Sequence, residues 1–311
     1  MHAIRFTTYG DPTVLELAEI PEPTPGPGEA LIRVAATTFN PVDATLRAGY
    51  LQRQFPLDLP HIPGIDVSGV VTAVGAGVDR SLVGTTVLAF LPMNAAGAAA
   101  DYVAAPANLL ALAPTSVALV DAAALPSAGL TAWQALVEHA SVHSGARVLV
   151  NGAGGGVGGF VVGLAKHLGA YVLATAGPRS RDAVRAAGAD EIIDYTRTPV
   201  TEAVPEPVDV VINLVRNSAT ELVALRDRIA DGGVLVSTTT PAEPDADRKV
   251  RAANVFARSD AQQLTHLAAL VDGGALRLDI SERYLLADLP RVHELGARGA
   301  LRGKTVIQIN A

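Results

Sequence analysis

The chain has 311 residues, and its 24 Lys and Arg against 31 Asp and Glu give a formal net charge of −7. This length favours two domains, and the acidic balance argues against a broad electrostatic surface for nucleic acid. The sequence contains no cysteine, which excludes disulfides, thiolate nucleophiles and Cys-ligated zinc or iron–sulfur clusters. A signal-peptide pattern and apolar runs of about 18 residues are both absent, so we expect a cytoplasmic protein that does not enter membranes.

The first part of the sequence predicts short β-strands that are separated by turns rich in Gly and Pro. Strands are expected at residues 30–36, 67–74 and 85–91, which are rich in Val, Ile, Leu and Thr. This pattern is typical of an all-β region with loops. From about Asp260 the sequence returns to a helix and then to a strand over residues 304–309. We expect residues 1–120 and 260–311 to form one β-rich domain.

Residues 121–259 predict a different architecture, in which apolar strands alternate with helices. Strands are expected at residues 147–150, 171–175, 191–194, 208–213 and 234–238, and helices at residues 130–140, 157–168, 179–187 and 219–229. Strands of this near-continuous apolar kind are buried on both faces of a sheet. The fold class is therefore α/β, with a doubly wound parallel sheet in this domain.

A glycine-rich segment after the first of these strands predicts a dinucleotide site. The segment runs from Val150 to Gly158, follows a strand and opens an amphipathic helix, which is the context that the dinucleotide fingerprint requires. The helix N-terminus offers N–H groups and partial positive charge to phosphates. The candidate cofactor-binding residues are Gly152, Gly155, Gly156, Val157 and Gly158. The alternative is a flexible connection that binds no ligand.

The residues after the second strand of this domain indicate which dinucleotide is bound. Sites for NAD usually place Asp or Glu there, on the ribose 2′-hydroxyl. Here the strand is followed by Ala176, Arg179, Ser180 and Arg181, with no acid before Asp182. Because arginine suits a bidentate contact with phosphate, this segment favours NADPH. Alternatively, Arg179 and Arg181 form only the solvated start of a helix.

Six ordered segments together resemble the zinc-independent quinone oxidoreductases, a zeta-crystallin-like family of the medium-chain dehydrogenase/reductase superfamily. These segments are residues 39–43, 60–71, 124–132, 150–158, 186–190 and 302–304. The resemblance implies a GroES-like catalytic domain (residues 1–120 and 260–311) and a Rossmann domain for NADPH (residues 121–259). It also implies hydride transfer to a small-molecule quinone or α,β-unsaturated carbonyl, and a homodimer joined through an edge strand expected at residues 254–258.

The resemblance also assigns roles to individual residues. Asn40 matches a position that contacts the nicotinamide ribose and lines the catalytic site, and Tyr50 resembles a tyrosine that donates a proton or hydrogen-bonds the carbonyl. Thr131 matches a contact near the nicotinamide, Tyr195 a contact to the 2′-phosphate, and Lys304 a lysine that reaches the cofactor. The alternatives are an Asx-type turn, a surface aromatic, a helix cap, a strand-end aromatic and a solvated lysine, respectively.

Two departures from family patterns affect these expectations. Zinc alcohol dehydrogenases of the superfamily carry a ligand in a Gly-His-Glu motif, whereas the matching run here is Gly64-Ile65-Asp66, and His61 is a lone histidine. We therefore expect no catalytic metal, which leaves alcohol oxidation without its usual Lewis acid. Residues 213–217 depart from the family's Asp-x-x-Gly-Gly pattern, so the contacts of the adenosine and its ribose are left open.

Two further functions remain open at this level. An enoyl reductase that acts on an acyl or polyketide intermediate would use the same fold and cofactor. A catalytically silent NADPH-binding sensor or crystallin-like protein would keep the dinucleotide site without the reaction. Fold-level similarity alone does not decide among these functions.

Overall fold

The computed structural model describes residues 1–309, which form two compact units. The first unit comprises Met1–Ser127, Ser259–Asp272 and Ile280–Ala311. The second unit comprises Ala128–Arg258 and Gly273–Asp279. The polypeptide therefore leaves the first unit, builds most of the second and returns to the first, and it adds Gly273–Asp279 to the second unit before it completes the first.

The strands in chain order are β1 (His2–Arg5), β2 (Glu16–Glu19), β3 (Glu29–Phe39), β4 (Asp66–Val74), β5 (Thr86–Phe90), β6 (Tyr102–Pro106), β7 (Ala111–Leu112), β8 (Arg147–Asn151), β9 (Tyr171–Thr175), β10 (Glu191–Ile193), β11 (Val208–Asn213), β12 (Ile229–Ser237), β13 (Arg251–Asn254), β14 (Ile280–Leu285) and β15 (Lys304–Gln308). The α-helices are α1 (Pro41–Arg47), α2 (Leu119–Ala122), α3 (Pro126–Trp133), α4 (Gly158–His167), α5 (Arg181–Ala186), α6 (Ala219–Arg226), α7 (Ala261–Asp272) and α8 (Leu289–Ala297). A π-helix, Gln134–His139, continues directly from α3.

The first unit is built on a mixed sheet with the strand order β14-β15-β3-β4-β5-β7, and β6 also pairs with β3. The pairs within it are antiparallel except for β14 with β15, which are parallel. Its core contains the buried side chains of Phe6, Ile32, Val67, Val87 and Ile307. Because β15 lies between β14 and β3, a segment near residue 304 is an interior strand of a sheet that begins near residue 29.

The second unit contains a six-stranded parallel sheet with the order β10-β9-β8-β11-β12-β13. Helix α4 packs against β8 and β9, and α6 packs against β12. The strand order reverses between β8 and β11, and ligands bind outside the carboxyl ends of the strands at such a point. This arrangement confirms the α/β class and the doubly wound parallel sheet that the sequence predicts.

The first helix is absent from the sequence prediction, which describes this region as all-β. Helix α1 spans only seven residues, too few to show a clear apolar period. Its start is stabilised by Pro41 at the first helical position and by the Asp43 carboxylate, which accepts a hydrogen bond from Asn40 N. A short helix with these signals is therefore compatible with a β-rich unit.

Three predicted boundaries in the second unit also differ from the structure. The predicted helix over residues 130–140 is α3 followed by the π-helix, in which Ala140 N donates to Ala135 O. The predicted helix to residue 229 ends at Arg226, because the fully buried Ile229 already begins β12. The edge strand expected at residues 254–258 is β13, Arg251–Asn254, which pairs in parallel with β12.

Candidate functional site

The glycine-rich segment connects β8 to α4 at the carboxyl edge of the parallel sheet. Gly152 has a φ of +97°, in the left-handed region that favours glycine. A Cβ on Gly158 would lie 2.5 Å from the carbonyl oxygens of Gly152 and Ala153, so only glycine allows this close packing. The first N–H groups of α4 have no partner within the helix. The loop therefore presents a compact helix N-terminus of the kind that binds phosphate.

A row of buried polar side chains at the carboxyl ends of the strands supports this loop. Gly152 N donates to Thr175 Oγ1 at 2.8 Å, and Thr175 Oγ1 lies 3.3 Å from Asn151 Oδ1. Asn151 Nδ2 donates to Asn213 Oδ1 at 2.9 Å, and Asn213 Nδ2 lies 3.3 Å from Ser237 Oγ. Each of the four side chains belongs to the last residue of its strand, and the four strands are neighbours in the order β9, β8, β11 and β12. The hydrogen bonds thus fix the loop to four adjacent strand ends.

The loop after β9 gathers four of the predicted cofactor residues. Ala176 is buried and donates its N–H to Ile193 O at 2.9 Å. Gly177 lies against Tyr195, because a Cβ there would be 3.2 Å from Tyr195 Oη. Ser180 precedes α5 and Arg181 is its first residue.

The loop after β9 also contacts the glycine-rich segment. A Cβ on Gly154 would lie 2.3 Å from Ser180 Oγ. Arg179 is exposed beside Ser180, and Arg181 Nη2 donates to Asp194 Oδ2 at 3.0 Å. The structure therefore brings the predicted phosphate loop and the predicted adenosine-end residues together within the second unit.

A second cluster of predicted residues lies within the first unit and is centred on a buried ion pair. Lys304 Nζ is 3.2 Å from Asp66 Oδ2, and the two side chains are 3% and 0% exposed. Lys304 Nζ also donates to Thr38 Oγ1 and to Asn40 Oδ1, each at 2.8 Å. The alternative of a solvated Lys304 is therefore wrong. The structure joins Asn40 and Lys304, which the sequence treats separately.

The Asn40 amide uses both of its atoms inside this cluster. Asn40 Nδ2 donates to Asp66 Oδ2 at 2.9 Å and to Thr38 Oγ1 at 3.3 Å. Its Oδ1 accepts from Lys304 Nζ and, at 3.2 Å, from Ser127 Oγ. A side-chain amide can donate two hydrogen bonds and accept two, so these four contacts use the full capacity of Asn40. The orientation of Asn40 is thus fixed by its neighbours.

The two carboxylates of the cluster have opposite pKa shifts. Burial alone would raise the pKa of Asp66, but the Lys304 ammonium and the hydrogen bonds from Thr38, Asn40 and Ser127 N outweigh it, so this pKa lies below its ordinary value. Burial, and next the Asp66 charge, raise the pKa of Asp43 to about 7. Asp43 nevertheless accepts hydrogen bonds from Gly64 N at 3.1 Å and Asn40 N at 3.2 Å. Asp43 thereby ties the backbone of Asn40 to that of Gly64.

Tyr50 and Thr131 lie outside these clusters, and the exposure of Tyr195 and the backbone position of Asn40 complete the description of the predicted residues. The Tyr50 side chain is 83% exposed, in the segment after α1. Thr131 lies inside α3, which begins at Pro126, so a helix-capping role for Thr131 is wrong. Tyr195 is 56% exposed and lies two residues after the end of β10. Asn40 is the N-cap residue of α1, in extended backbone conformation.

Several residues of these clusters were not identified from the sequence. The sequence marks Asp66 only as a departure from a metal-binding motif, and no sequence pattern predicts a role for Thr38 or Ser127. The sequence likewise assigns no role to Asp194 or Thr175, and it includes Asn151 only as part of the glycine-rich segment, although each is a polar residue at or just after the carboxyl end of a predicted apolar strand. The position at a strand end could have identified these residues as site candidates, because open α/β sheets bind ligands at the carboxyl ends of their strands.

Comparison with known proteins identifies the class of protein to which this fold belongs. The sequence model of the alcohol dehydrogenase GroES-like domain matches residues 26–115, and the model described as zinc-binding dehydrogenase matches residues 187–307. A solved quinone oxidoreductase from Coxiella burnetii superposes with a TM-score of 0.91 at 31% identity, covering 100% of this chain and 99% of that chain. The fold is that of a medium-chain dehydrogenase/reductase, with a GroES-like and a Rossmann-like domain.

Three curated relatives extend the comparison. Quinone-oxidoreductase QR1 of Triphysaria versicolor, a chloroplastic protein, is 31% identical over 324 residues, which cover 99% of this chain and 98% of the relative. The chloroplastic quinone-oxidoreductase homolog of Spinacia oleracea is 40% identical over 213 residues, or 67% of this chain and 64% of that protein. The chloroplastic NADPH-dependent alkenal/one oxidoreductase of Arabidopsis thaliana is 35% identical, covering 82% and 66%. The chain belongs to the quinone oxidoreductase family.

The zinc named by one matched model does not fit the residues of this chain. The sequence has no cysteine. Within residues 1–309, the His, Asp and Glu side chains form no group of three that could hold a metal ion. Ile65 stands at the histidine position of the Gly-His-Glu motif, and Asp66, at the Glu position, is engaged by Lys304 and three hydrogen-bond donors.

Proposed function

We propose that this protein is an NADPH-dependent, metal-free oxidoreductase that transfers a hydride to a quinone or an α,β-unsaturated carbonyl compound. The observation that carries the proposal is the glycine-rich helix N-terminus, which four strand ends hold in place. The relatives named quinone oxidoreductase and NADPH-dependent alkenal/one oxidoreductase support the substrate classes and the cofactor.

The second unit supplies the proposed binding groups for the cofactor. Gly152, Gly155, Gly156, Val157 and Gly158 surround the helix N-terminus and would hold the pyrophosphate. Ala176, Arg179, Ser180, Arg181 and Tyr195 would hold the adenosine end, and the arginines suit a 2′-phosphate. Thr131 is proposed to contact the cofactor near its nicotinamide. When bound, NADPH supplies the hydride, and the protein supplies orientation.

Asn40 and Lys304 are proposed site residues of the first unit. Their hydrogen bonds hold a polar amide and an ammonium in fixed positions. Fixed dipoles and charges stabilise developing charge better than mobile ones, because little reorganisation is needed during the reaction. Because neighbouring residues already use the donors of both side chains, we propose that Asn40 and Lys304 act by positioning the site and not by donating a hydrogen bond to the oxygen of a quinone or enone.

A proton must follow the hydride to complete the reduction, and Tyr50 is the proposed donor. A hydride and a proton together convert a quinone to a hydroquinone, or an enone to a saturated ketone. Tyr50 is exposed, so its phenol can exchange protons with water. We expect Tyr50→Phe to lower kcat on enones by about 10²-fold or more, the range of general acid catalysis. The control is Tyr171→Phe, in which the lost hydroxyl hydrogen-bonds only Glu191 at the surface. A kcat unaffected by Tyr50→Phe would assign the proton to water.

The experiment that tests the proposal is a cofactor titration followed by a substrate panel. NADPH fluorescence should report saturable binding to the purified protein. Oxidation of NADPH at 340 nm should then require a quinone or an enone, and product analysis should show two-electron reduction. No NADPH oxidation across the whole panel would overturn the proposed activity, and no NADPH binding would overturn the cofactor assignment.

The metal-free character has its own test. Dialysis against a chelator should leave the activity unchanged, and added Zn²⁺ should not raise it. Activity that is lost on chelation and regained with Zn²⁺ would contradict the proposal. No step assigned above uses a metal ion.

Other expectations from the sequence stay predictions. These are the domain boundaries at residues 1–120 with 260–311 and at residues 121–259, a homodimer, and a cytoplasmic location without nucleic-acid partners. The relatives include chloroplastic and mitochondrial proteins. In the part of the chain that the structure describes, no helix has the length and apolar character needed to cross a membrane. Light scattering of the purified protein would test the dimer.

A further inference from the structure

The Arg181 guanidinium is held by a carboxylate that the sequence does not implicate in cofactor binding. Arg181 opens α5, and its Nη2 donates to Asp194 Oδ2 at 3.0 Å. Asp194 directly follows β10, and its Oδ1 accepts from Thr196 N at 3.1 Å and from Thr196 Oγ1 at 2.6 Å. Asp194 is therefore fixed on one side by Thr196 and presents its other oxygen to Arg181.

Asp194 remains charged in this arrangement. The hydroxyl of Thr196 contributes most to lowering the pKa of Asp194, and Thr196 N, Arg181 and Arg197 lower it further. The side chain of Asp194 is 13% exposed, whereas that of Arg181 is 41% exposed. A partly shielded anion thus lies against a more accessible cation.

The guanidinium retains donors that this ion pair does not use. Arginine has five N–H donors, and Arg181 Nε is buried without a hydrogen-bond partner in the part of the chain that the structure describes. A second anion at Arg181 would therefore share the guanidinium with Asp194. The two anions would repel each other, and this repulsion opposes part of the attraction to Arg181.

We propose that Asp194 is a specificity-determining residue that, by pairing with Arg181, limits the preference of the site for a dinucleotide carrying a 2′-phosphate. The inference rests on the proposed function, because it assumes that the dinucleotide's adenosine end binds beside the loop after β9. The protein therefore binds NADPH with a moderate preference and still accepts NADH.

The test measures binding of NADPH and NADH by fluorescence titration, without any substrate. Asp194→Asn keeps an oxygen that can accept from Thr196 and removes the charge. We expect the ratio of the NADH Kd to the NADPH Kd to rise about fivefold, the upper range for an exposed charge pair, with the NADH Kd nearly unchanged. An unchanged or lower ratio would overturn the inference, because Asp194 would then be neutral or helpful to phosphate binding.

Two comparisons separate pairing with Arg181 from a general change in charge. Asp182→Asn alters the net charge equally on the next residue of α5, but Asp182 pairs with Arg185, so the ratio should change less than twofold. In an Arg181→Gln background, Asp194→Asn should have less effect than in the wild type. Equal effects in either comparison would overturn the inference.

Folding and nucleotide binding provide the remaining controls. Circular dichroism and thermal unfolding would check each variant, and Asp194→Ser, which keeps a hydroxyl at this position, serves if Asp194→Asn does not fold. Failure of the wild-type protein to bind either nucleotide would overturn the proposed function and this inference together. Intact binding with an unchanged ratio would overturn this inference alone.

Discussion

Lys304 Nζ lies 2.8 Å from Asn40 Oδ1, although 264 positions separate the two residues in the sequence. The same ammonium is 3.2 Å from the Asp66 carboxylate, which is fully buried. Together these contacts join the end of β3, the start of β4 and the start of β15. The ion pair is therefore part of the framework of the first unit and also orients a candidate site residue.

Removal of Lys304 is expected to destabilise the protein strongly. Lys304→Met leaves the Asp66 carboxylate buried without its counter-charge, which typically costs about 3–5 kcal/mol. Denaturant unfolding would measure the free energy of unfolding. Adding Asp66→Asn to this variant should restore much of the loss, because residue 66 then carries no unpaired charge. The matched control is Lys166→Met, which breaks a partly exposed pair with Asp190 and should cost about 1 kcal/mol. Equal losses in the two single variants would contradict the prediction.

Asp43 should make stability depend on pH between about pH 4 and pH 7. Its folded pKa of about 7 lies above the ordinary value of 3.8, so the folded state holds a proton that the unfolded state has released in this range. Stability from this group is fully present below pH 4 and is lost as pH rises towards 7, with a limiting slope of about 1.4 kcal/mol per pH unit.

Asp43→Asn provides the comparison for this pH dependence. The variant cannot titrate, so wild-type stability relative to the variant should fall as pH rises from about 4 to 7. Asp66 acts in the opposite direction, because its lowered pKa costs stability only as pH falls below about 4. Chemical unfolding at several pH values would measure both effects. Parallel pH profiles of the two proteins between pH 4 and 7 would contradict the prediction for Asp43.

Two glycines of the glycine-rich loop should differ in role, because Gly158 is needed for packing and Gly155 for cofactor binding. A Cβ at Gly158 would lie 2.5 Å from backbone atoms of the loop, whereas a Cβ at Gly155 would have its nearest neighbour, Gly152 O, at 3.5 Å. We expect Gly158→Ala to cost about 1–3 kcal/mol of stability through overpacking. Gly155→Ala should unfold like the wild type but bind NADPH more weakly, because Gly155 is exposed on the loop that we propose to hold the pyrophosphate. A large stability loss in Gly155→Ala, or none in Gly158→Ala, would contradict this assignment.

Thr175 should be needed to hold the glycine-rich loop. Thr175→Val keeps the shape of the side chain but removes the acceptor for Gly152 N. An unpaired buried N–H costs about 1–3 kcal/mol, and NADPH binding should weaken because Gly152 is no longer anchored. Thermal unfolding and NADPH titration would measure the two effects. The control is Thr265→Val on the exposed face of α7, for which a change within about 0.5 kcal/mol is expected.

The sequence predicted the parallel sheet well and the polar clusters poorly, for one physical reason. Strands β9 and β11 have the predicted boundaries, because buried strands are apolar over their whole length and turn residues border them. The contact of Lys304 with Asp66 depends on which strands are neighbours, and that order follows from the assembled sheet. Local sequence patterns do not contain this information. Among the predicted site residues, the glycine-rich loop could be placed for the same local reason as the strands.

Helix α1 and the edge strand β13 illustrate a second limit. Helix α1 is too short for its period to be recognised, and its start depends on Asp43, which also bonds the distant Gly64 N. Strand β13 has only partly exposed or exposed side chains, so it lacks the apolar run that marked its neighbours. Both elements are specified by contacts with the rest of the fold more than by their own residues.

The interior position of β15 has a consequence for the order in which the protein folds during its synthesis. The ribosome delivers β3, β4 and Asp66 long before residue 304, and domains that are contiguous in sequence generally fold as they emerge. In this protein, β3 lacks its neighbour β15 and Asp66 lacks the Lys304 ammonium until the whole second unit has been translated. The first unit therefore completes its sheet only late in synthesis, whereas the second unit needs only the short later segment Gly273–Asp279 and can fold ahead of it.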